Sequence, residues 1–95
     1  GAVLQNRVEV GENVVVNTRA SVDHDVVISA HAVVSPGAII SGAVKLGRGA
    51  FVGAGAVIIQ GIEIGESCVI GAGAVVRHHV KANTTVVGNP AAQLE

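Results

Sequence analysis

"VVVNTRASVDHDVVISAHAVVSPGAIISGAVKLGRGAFVGAGAV", residues 14–57, places a branched aliphatic residue at every sixth position. Followed outward in both directions, this column reads Leu4, Val10, Val16, Val22, Ile28, Val34, Ile40, Leu46, Val52, Ile58, Ile64, Ile70 and Val76 without a break. A second column of small or aliphatic residues trails it by four, from Val8, Val14 and Ala20 through Cys68 and Ala74 to Val80. A period of six does not match the 3.6 residues of a helical turn, so helix is excluded. Gly, Asn and Asp are frequent between the columns, and these types tolerate the left-handed conformation that a tight corner needs. Short strands joined by corners, each stacked on the next at ~4.8 Å, make a β-solenoid with both columns pointing inward.

Composition agrees. The chain has 95 residues, 49% of them hydrophobic, with Phe51 the one aromatic and no Met or Trp, so the core must be built from small and branched aliphatic groups that favour strands. A formal net charge of −1 supplies no basic field for nucleic acid or an anionic membrane, and neither partner is expected. One cysteine cannot form an internal disulfide, no apolar run reaches the roughly 18 residues of a membrane span, and no signal peptide opens the sequence. A cytoplasmic location is expected. There is no initiator Met, and the closing Leu94-Glu95 reads as a cloning scar, which points to an excised domain.

The repeated unit, an aliphatic residue, then Gly, Ala, Asp or Ser, two variable residues, a small residue and one more, resembles the hexapeptide repeat of the left-handed parallel β-helix acyltransferases. The likeness covers residues 4–81, with 82–93 as a C-terminal extension and 94–95 as the scar. It implies three hexads per triangular coil, hence 18 residues per coil and about four coils. The left-handed winding is implied by the family alone, because ordinary crossovers favour the other hand.

An 18-residue coil sorts the outward residues by face. The first face carries Glu9, Val27, Lys45 and Glu63 and is expected to be solvated. The second carries Val15, Val33, Phe51 and Val69; the third carries Ser21, Ile39, Val57 and Val75, with Ile59 beside them. Two faces apolar on the outside, meeting at a corner of mostly small residues such as Gly37, Ala54 and Ala72, predict a homotrimer about a threefold axis. A wrapping partner domain is the other way to cover them.

His24 and Asp25 fall on the corner after the third face, where stacking by 18 adds Gly42-Ala43, Gln60-Gly61 and His78-His79. Gly42 should leave a notch beside His24 that opens toward a neighbouring subunit, near Val33 and Phe51 of the partner subunit. Clefts between subunits are natural ligand sites. His31 occupies a different corner, stacked with Asn13, Gly49 and Ser67.

Residues 14–57, the "SVDHD" at 21–25 and the closing "TTVVGNPA" at 84–91 resemble the acetyltransferases of sialic acid and of UDP-linked amino sugars. That resemblance implies acetyl-CoA as acyl donor and a sugar or nucleotide-sugar hydroxyl or amine as acceptor, with no metal. It makes His24 the general base, a role suited to an imidazole at working pH. It implies that Asp25 orients the imidazole, that Asn17 lies near the acceptor, that the Gly42 amide stabilises the thioester oxyanion, and that Ala54, Ala72 and Val33 line the coenzyme groove. Many members carry a second histidine where this chain has Val33.

Other readings remain. The γ-type carbonic anhydrases share the scaffold, but they need one histidine followed about two coils later by a close pair, whereas here 24 to 78 spans three coils and His78 and His79 are adjacent. Cys68 fills an inward position and reads as a small apolar residue. A non-catalytic reading also stands: a trimeric scaffold, or a fragment lacking the N-terminal acceptor-binding domain usual in that subfamily.

Overall fold

Thirteen two-residue strands recur at six-residue spacing in a computed structural model that describes residues 1–94; the proposed scar at 94–95 lies partly outside the described residues. They are β1 (Val3–Leu4), β2 (Glu9–Val10), β3 (Val15–Val16), β4 (Ser21–Val22), β5 (Val27–Ile28), β6 (Val33–Val34), β7 (Ile39–Ile40), β8 (Lys45–Leu46), β9 (Phe51–Val52), β10 (Val57–Ile58), β11 (Glu63–Ile64), β12 (Val69–Ile70) and β13 (Val75–Val76). β14 (Thr85–Val87) and β15 (Ala92–Gln93) follow. Every third strand pairs in parallel: β2-β5-β8-β11 form the first face, β3-β6-β9-β12-β14 the second and β1-β4-β7-β10-β13 the third. The pairings fall at a register of 18, as in Val27 opposite Lys45 and Val33 opposite Phe51. Each rung bonds to the next, for example Val27 N–H to the Val44 carbonyl at 3.0 Å and Ser29 N–H to that of Leu46 at 3.0 Å. The chain is the left-handed parallel β-helix of hexapeptide repeats, a prism of 35 × 20 × 20 Å.

The corners repeat as strictly as the strands. A residue of positive φ stands at 7, 13, 19, 25, 31, 37, 43, 49, 55, 61, 67 and 73, all between 54° and 78°. Five of these are glycine, and none of the others is β-branched, the class that this conformation excludes most strongly. Both inward columns are sealed from Ala20 to Val76, with Val22, Ile40, Ala50, Ile58 and Cys68 fully buried. Leu4 and Val10 belong to the same column yet are 45% and 47% exposed, because among the described residues no coil stacks beneath theirs.

The winding goes further than the four coils expected. Val80 bridges Ile64, and Thr85–Val86 pairs with Val69–Ile70, so the coil count reaches five. In this last coil the register is 16 (80 − 64 and 85 − 69) instead of 18. The two missing residues come from the corner at 77–79, which has no residue of positive φ. His78 and His79 therefore do not repeat the His24-Asp25 corner. Cutting the corner costs Glu63 its backbone acceptor, and the ring of His79 replaces it: the Glu63 N–H donates to His79 Nδ1 at 2.9 Å. β15 then turns back antiparallel onto β14.

Candidate active site

Asp23, directly after β4, starts the corner between the third and first faces. Its Oδ1 accepts the His24 backbone N–H at 2.7 Å, a local cap that turns the chain. Asp25 supplies the left-handed residue, φ 59°, and its N–H donates to the Asn6 carbonyl of the coil below at 3.2 Å. The turn brings the His24 ring back over Asp25, with Nδ1 2.9 Å from Oδ2. Arg7, one coil below, grips the same carboxylate at two points: Nε donates to Oδ1 at 2.6 Å and Nη2 to Oδ2 at 3.1 Å.

The chemistry of the ring follows. The hydrogen bonds from Arg7, and secondly from His24, hold the Asp25 carboxyl well below the usual carboxylate range, while the guanidinium of Arg7 is pushed up by the same contact. An ionised carboxylate can only accept, so Nδ1 carries the imidazole proton and the lone pair of neutral His24 sits on Nε2. Nε2 lies 4.0 Å from Asp23 Oδ1, too far for a hydrogen bond, and the side chain is half exposed. Neutral His24 thus keeps its lone pair on Nε2 of a half-exposed ring, backed by a fixed acid–guanidinium pair.

Gly42 lies one coil above. A Cβ there would stand 2.9 Å from Cε1 and 3.1 Å from Nε2 of His24. Gly42 is outside the left-handed region, so space and not φ calls for glycine. The expected notch is present but the imidazole itself fills it, which leaves Gly42 buried. Among the described residues, the Gly42 N–H donates to no intramolecular acceptor.

The remaining candidates lie on other parts of the prism. Asn17 is half-buried on the corner between the second and third faces, where its backbone N–H and its Nδ2 donate to the Val34 carbonyl at 2.9 and 3.3 Å. Ala54 and Ala72 are exposed on that corner, two and three coils further along, and their N–H groups likewise donate to no acceptor among the described residues. Val33 is half-buried on the outside of the second face. His31 takes the third corner, with φ 64°. Within one chain, then, His24, Asp25 and Gly42 come together, while Asn17, Val33, Ala54 and Ala72 do not join them.

Arg7 was absent from the candidates and was recoverable: it stands 18 residues before Asp25, hence directly beneath it. Two concavities lie away from His24. A cavity of about 270 Å³ lies under the C-terminal hairpin, lined by Arg77, His78, His79, Lys81 and Thr84 among others, and an open groove crosses the first face near Lys45 and Glu63. Apolar groups lie exposed on the other two faces: Val15, Phe51 and Val69 on the second, Val3 and Ile39 on the third.

Fold and corner together define a hexapeptide-repeat β-helix with a carboxylate-backed histidine. Residues 43–78 match the family described as bacterial transferase hexapeptide (six repeats). The chain is similar to a GDP-perosamine N-acetyl transferase from Caulobacter crescentus, solved with CoA and GDP-perosamine, at 32% identity and a TM-score of 0.99 over 100% of this chain and 45% of that one. It is similar to the acetyltransferase domain of PglB from Neisseria gonorrhoeae, solved with acetyl coenzyme A, at 40% identity and a TM-score of 0.97 over 98% and 45%. Serine acetyltransferase from Neisseria gonorrhoeae, solved with serine, follows at 28% identity and 0.86 over 93% and 40%. The chain therefore spans less than half the length of each of these relatives. Among curated proteins none matches at a significant level.

Proposed function

We propose that the chain is the β-helix domain of an acetyl-CoA-dependent acetyltransferase that modifies an amine or hydroxyl of a sugar or nucleotide-sugar, with His24 as general base. The observation that carries this reading is the Arg7–Asp25–His24 chain of hydrogen bonds, which puts the proton of neutral His24 on Nδ1 and leaves the lone pair on Nε2. The relatives solved with CoA, with acetyl coenzyme A and with GDP-perosamine support the donor and the acceptor class. Nε2 takes the proton of the acceptor as its nitrogen or oxygen attacks the thioester carbonyl. The tetrahedral oxyanion collects a hydrogen bond from the Gly42 amide, the C–S bond breaks, and the imidazolium returns the proton to the departing thiolate.

The donor fits the remaining surface. Ala54 and Ala72 present small side chains and free amides along one corner, where an extended pantetheine could hydrogen-bond to backbone, and Val33 adds apolar contact. Because these groups and His24 lie on different edges of one prism, the site is assigned to a cleft between subunits of a homotrimer. The exposed Phe51, Val69 and Ile39 on two faces, against the charged Glu9, Lys45 and Glu63 on the first, support that assembly. Asn17 would reach the acceptor from its own corner.

A calorimetric titration with acetyl-CoA tests the reading. Saturable heat with a matching rise in melting temperature is expected. Absence of both favours the other reading, a non-catalytic trimeric scaffold.

A further inference from the structure

Two vertical pairs of stacked corner residues carry opposite charges, Arg7 with Asp25 and Arg48 with Glu66, and among the described residues the first alone closes into an ion pair. Arg7 and Asp25 occupy the same position of successive coils with φ of 58° and 59°, so their side chains leave the backbone in parallel, about one strand spacing apart. Above them the column continues as Ala43 and Gly61, which bring no charge. Arg19 holds the equivalent position on the next edge, φ 63°, but Gly37 stands above it. The fold itself thus makes no demand for an arginine–carboxylate ladder at its corners.

We propose that Arg7 is a positioning residue for His24: from the coil below, it locks the plane of the Asp25 carboxylate and offsets its charge, so that the neutral ring of His24 keeps its proton on Nδ1 and its lone pair on Nε2. This rests on the general-base reading of His24, and Arg7 itself touches no reacting atom. Two contacts, Nε to Oδ1 and Nη2 to Oδ2, fix a carboxylate that one contact would leave free to rotate, and Oδ2 is the very atom that faces Nδ1. The charge effect is separate. A carboxylate alone at hydrogen-bond distance favours imidazolium, which is no base; paired with a guanidinium it presents almost no net charge. Among the described residues, the charged groups facing the ring are Asp23, Asp25 and, behind the latter, Arg7; the neighbouring corner positions of the coils below and above, Gln5, Asn6, Gly42 and Ala43, are uncharged.

The test is a pH titration of the histidine rings by ¹⁵N nuclear magnetic resonance on the full chain, in the wild type, Arg7→Gln and Arg7→Lys. In Arg7→Gln the His24 ring should titrate at higher pH than in the wild type, as expected for losing the positive charge behind Asp25, and the share of neutral His24 protonated on Nδ1 should fall. Arg7→Lys restores charge without the two-point grip, so it should recover the titration but not the share of the Nδ1 form. Asp25→Asn should move the titration the opposite way, to lower pH. On an accepted substrate, the acid limb of the kcat/KM profile should shift in the same order. An unchanged His24 titration in Arg7→Gln, with or without a drop in melting temperature, overturns the proposal and leaves Arg7 as a tie between coils. Full turnover in His24→Ala would instead overturn the base assignment, and the ring titration would still decide the role of Arg7.

Discussion

The imidazole of His24 lies so close against Gly42 that a single added methyl would stand 2.9 Å from Cε1 and 3.1 Å from Nε2. Real Cβ atoms do not approach so near, and Gly42 is buried, so the ring would have to swing away from its contact with Asp25. Gly42→Ala should therefore cost about 10- to 100-fold in turnover through misplacement of the base, with the fold intact because the backbone there is not left-handed. Steady-state kinetics beside circular dichroism checks this; full activity would show that the ring position is not needed.

The Asp25 carboxyl is held below its usual range by Arg7 and His24, so the folded state binds its proton less readily than the unfolded chain does. The stability this confers is fully present above the unfolded value of about 4 and is lost as pH falls through the folded one. The difference in melting temperature between wild type and Asp25→Asn should accordingly narrow as pH drops from 6 toward 2. A constant gap over that range would mean that the ion pair contributes nothing.

At the other end of the prism, His79→Ala removes the acceptor of the Glu63 N–H. A loss of about 0.5–1.5 kcal/mol is expected from one neutral hydrogen bond, concentrated in the last coil. Hydrogen exchange should show the Glu63 amide accelerated in the variant; exchange identical to wild type would show that the ring is dispensable there.

These cases separate what is legible in a sequence from what is not. The column from Leu4 to Val76 and its companion from Val8 to Ala74 reveal strands, corners and core, since every inward position is marked by residue type. The first coil departs because burial needs a coil underneath, which leaves Leu4 and Val10 uncovered. The fifth coil was hidden because Val80 fits the companion column, four after Val76, while in the structure it takes the strand position opposite Ile64. The contact between His24 and Asp25 is legible because the two are adjacent in the motif at 21–25. Arg7 acts across 18 residues, and its pairing becomes visible only when the coils are stacked downward from Asp25 as well as upward.

Phe51 is the largest side chain left 43% exposed on the second face. If that face packs against the third face of a neighbour, sedimentation should give three times the 9.4 kDa chain mass. Phe51→Asp would bury an unpaired charge in the contact and should shift the protein toward monomer. A stable wild-type monomer would refute the assembly and with it the cleft between subunits.

The most direct measurement is thiol release from acetyl-CoA in the presence of amino-sugar and nucleotide-sugar acceptors, compared between wild type, His24→Ala and His31→Ala. His24→Ala should lower turnover by the ~10²–10⁴ typical of a lost general base, with coenzyme affinity and trimer nearly unchanged, while His31→Ala, on another corner of the prism, should cost little. Unchanged turnover in His24→Ala, or an equal loss in both variants, would contradict the assignment of His24 as the base.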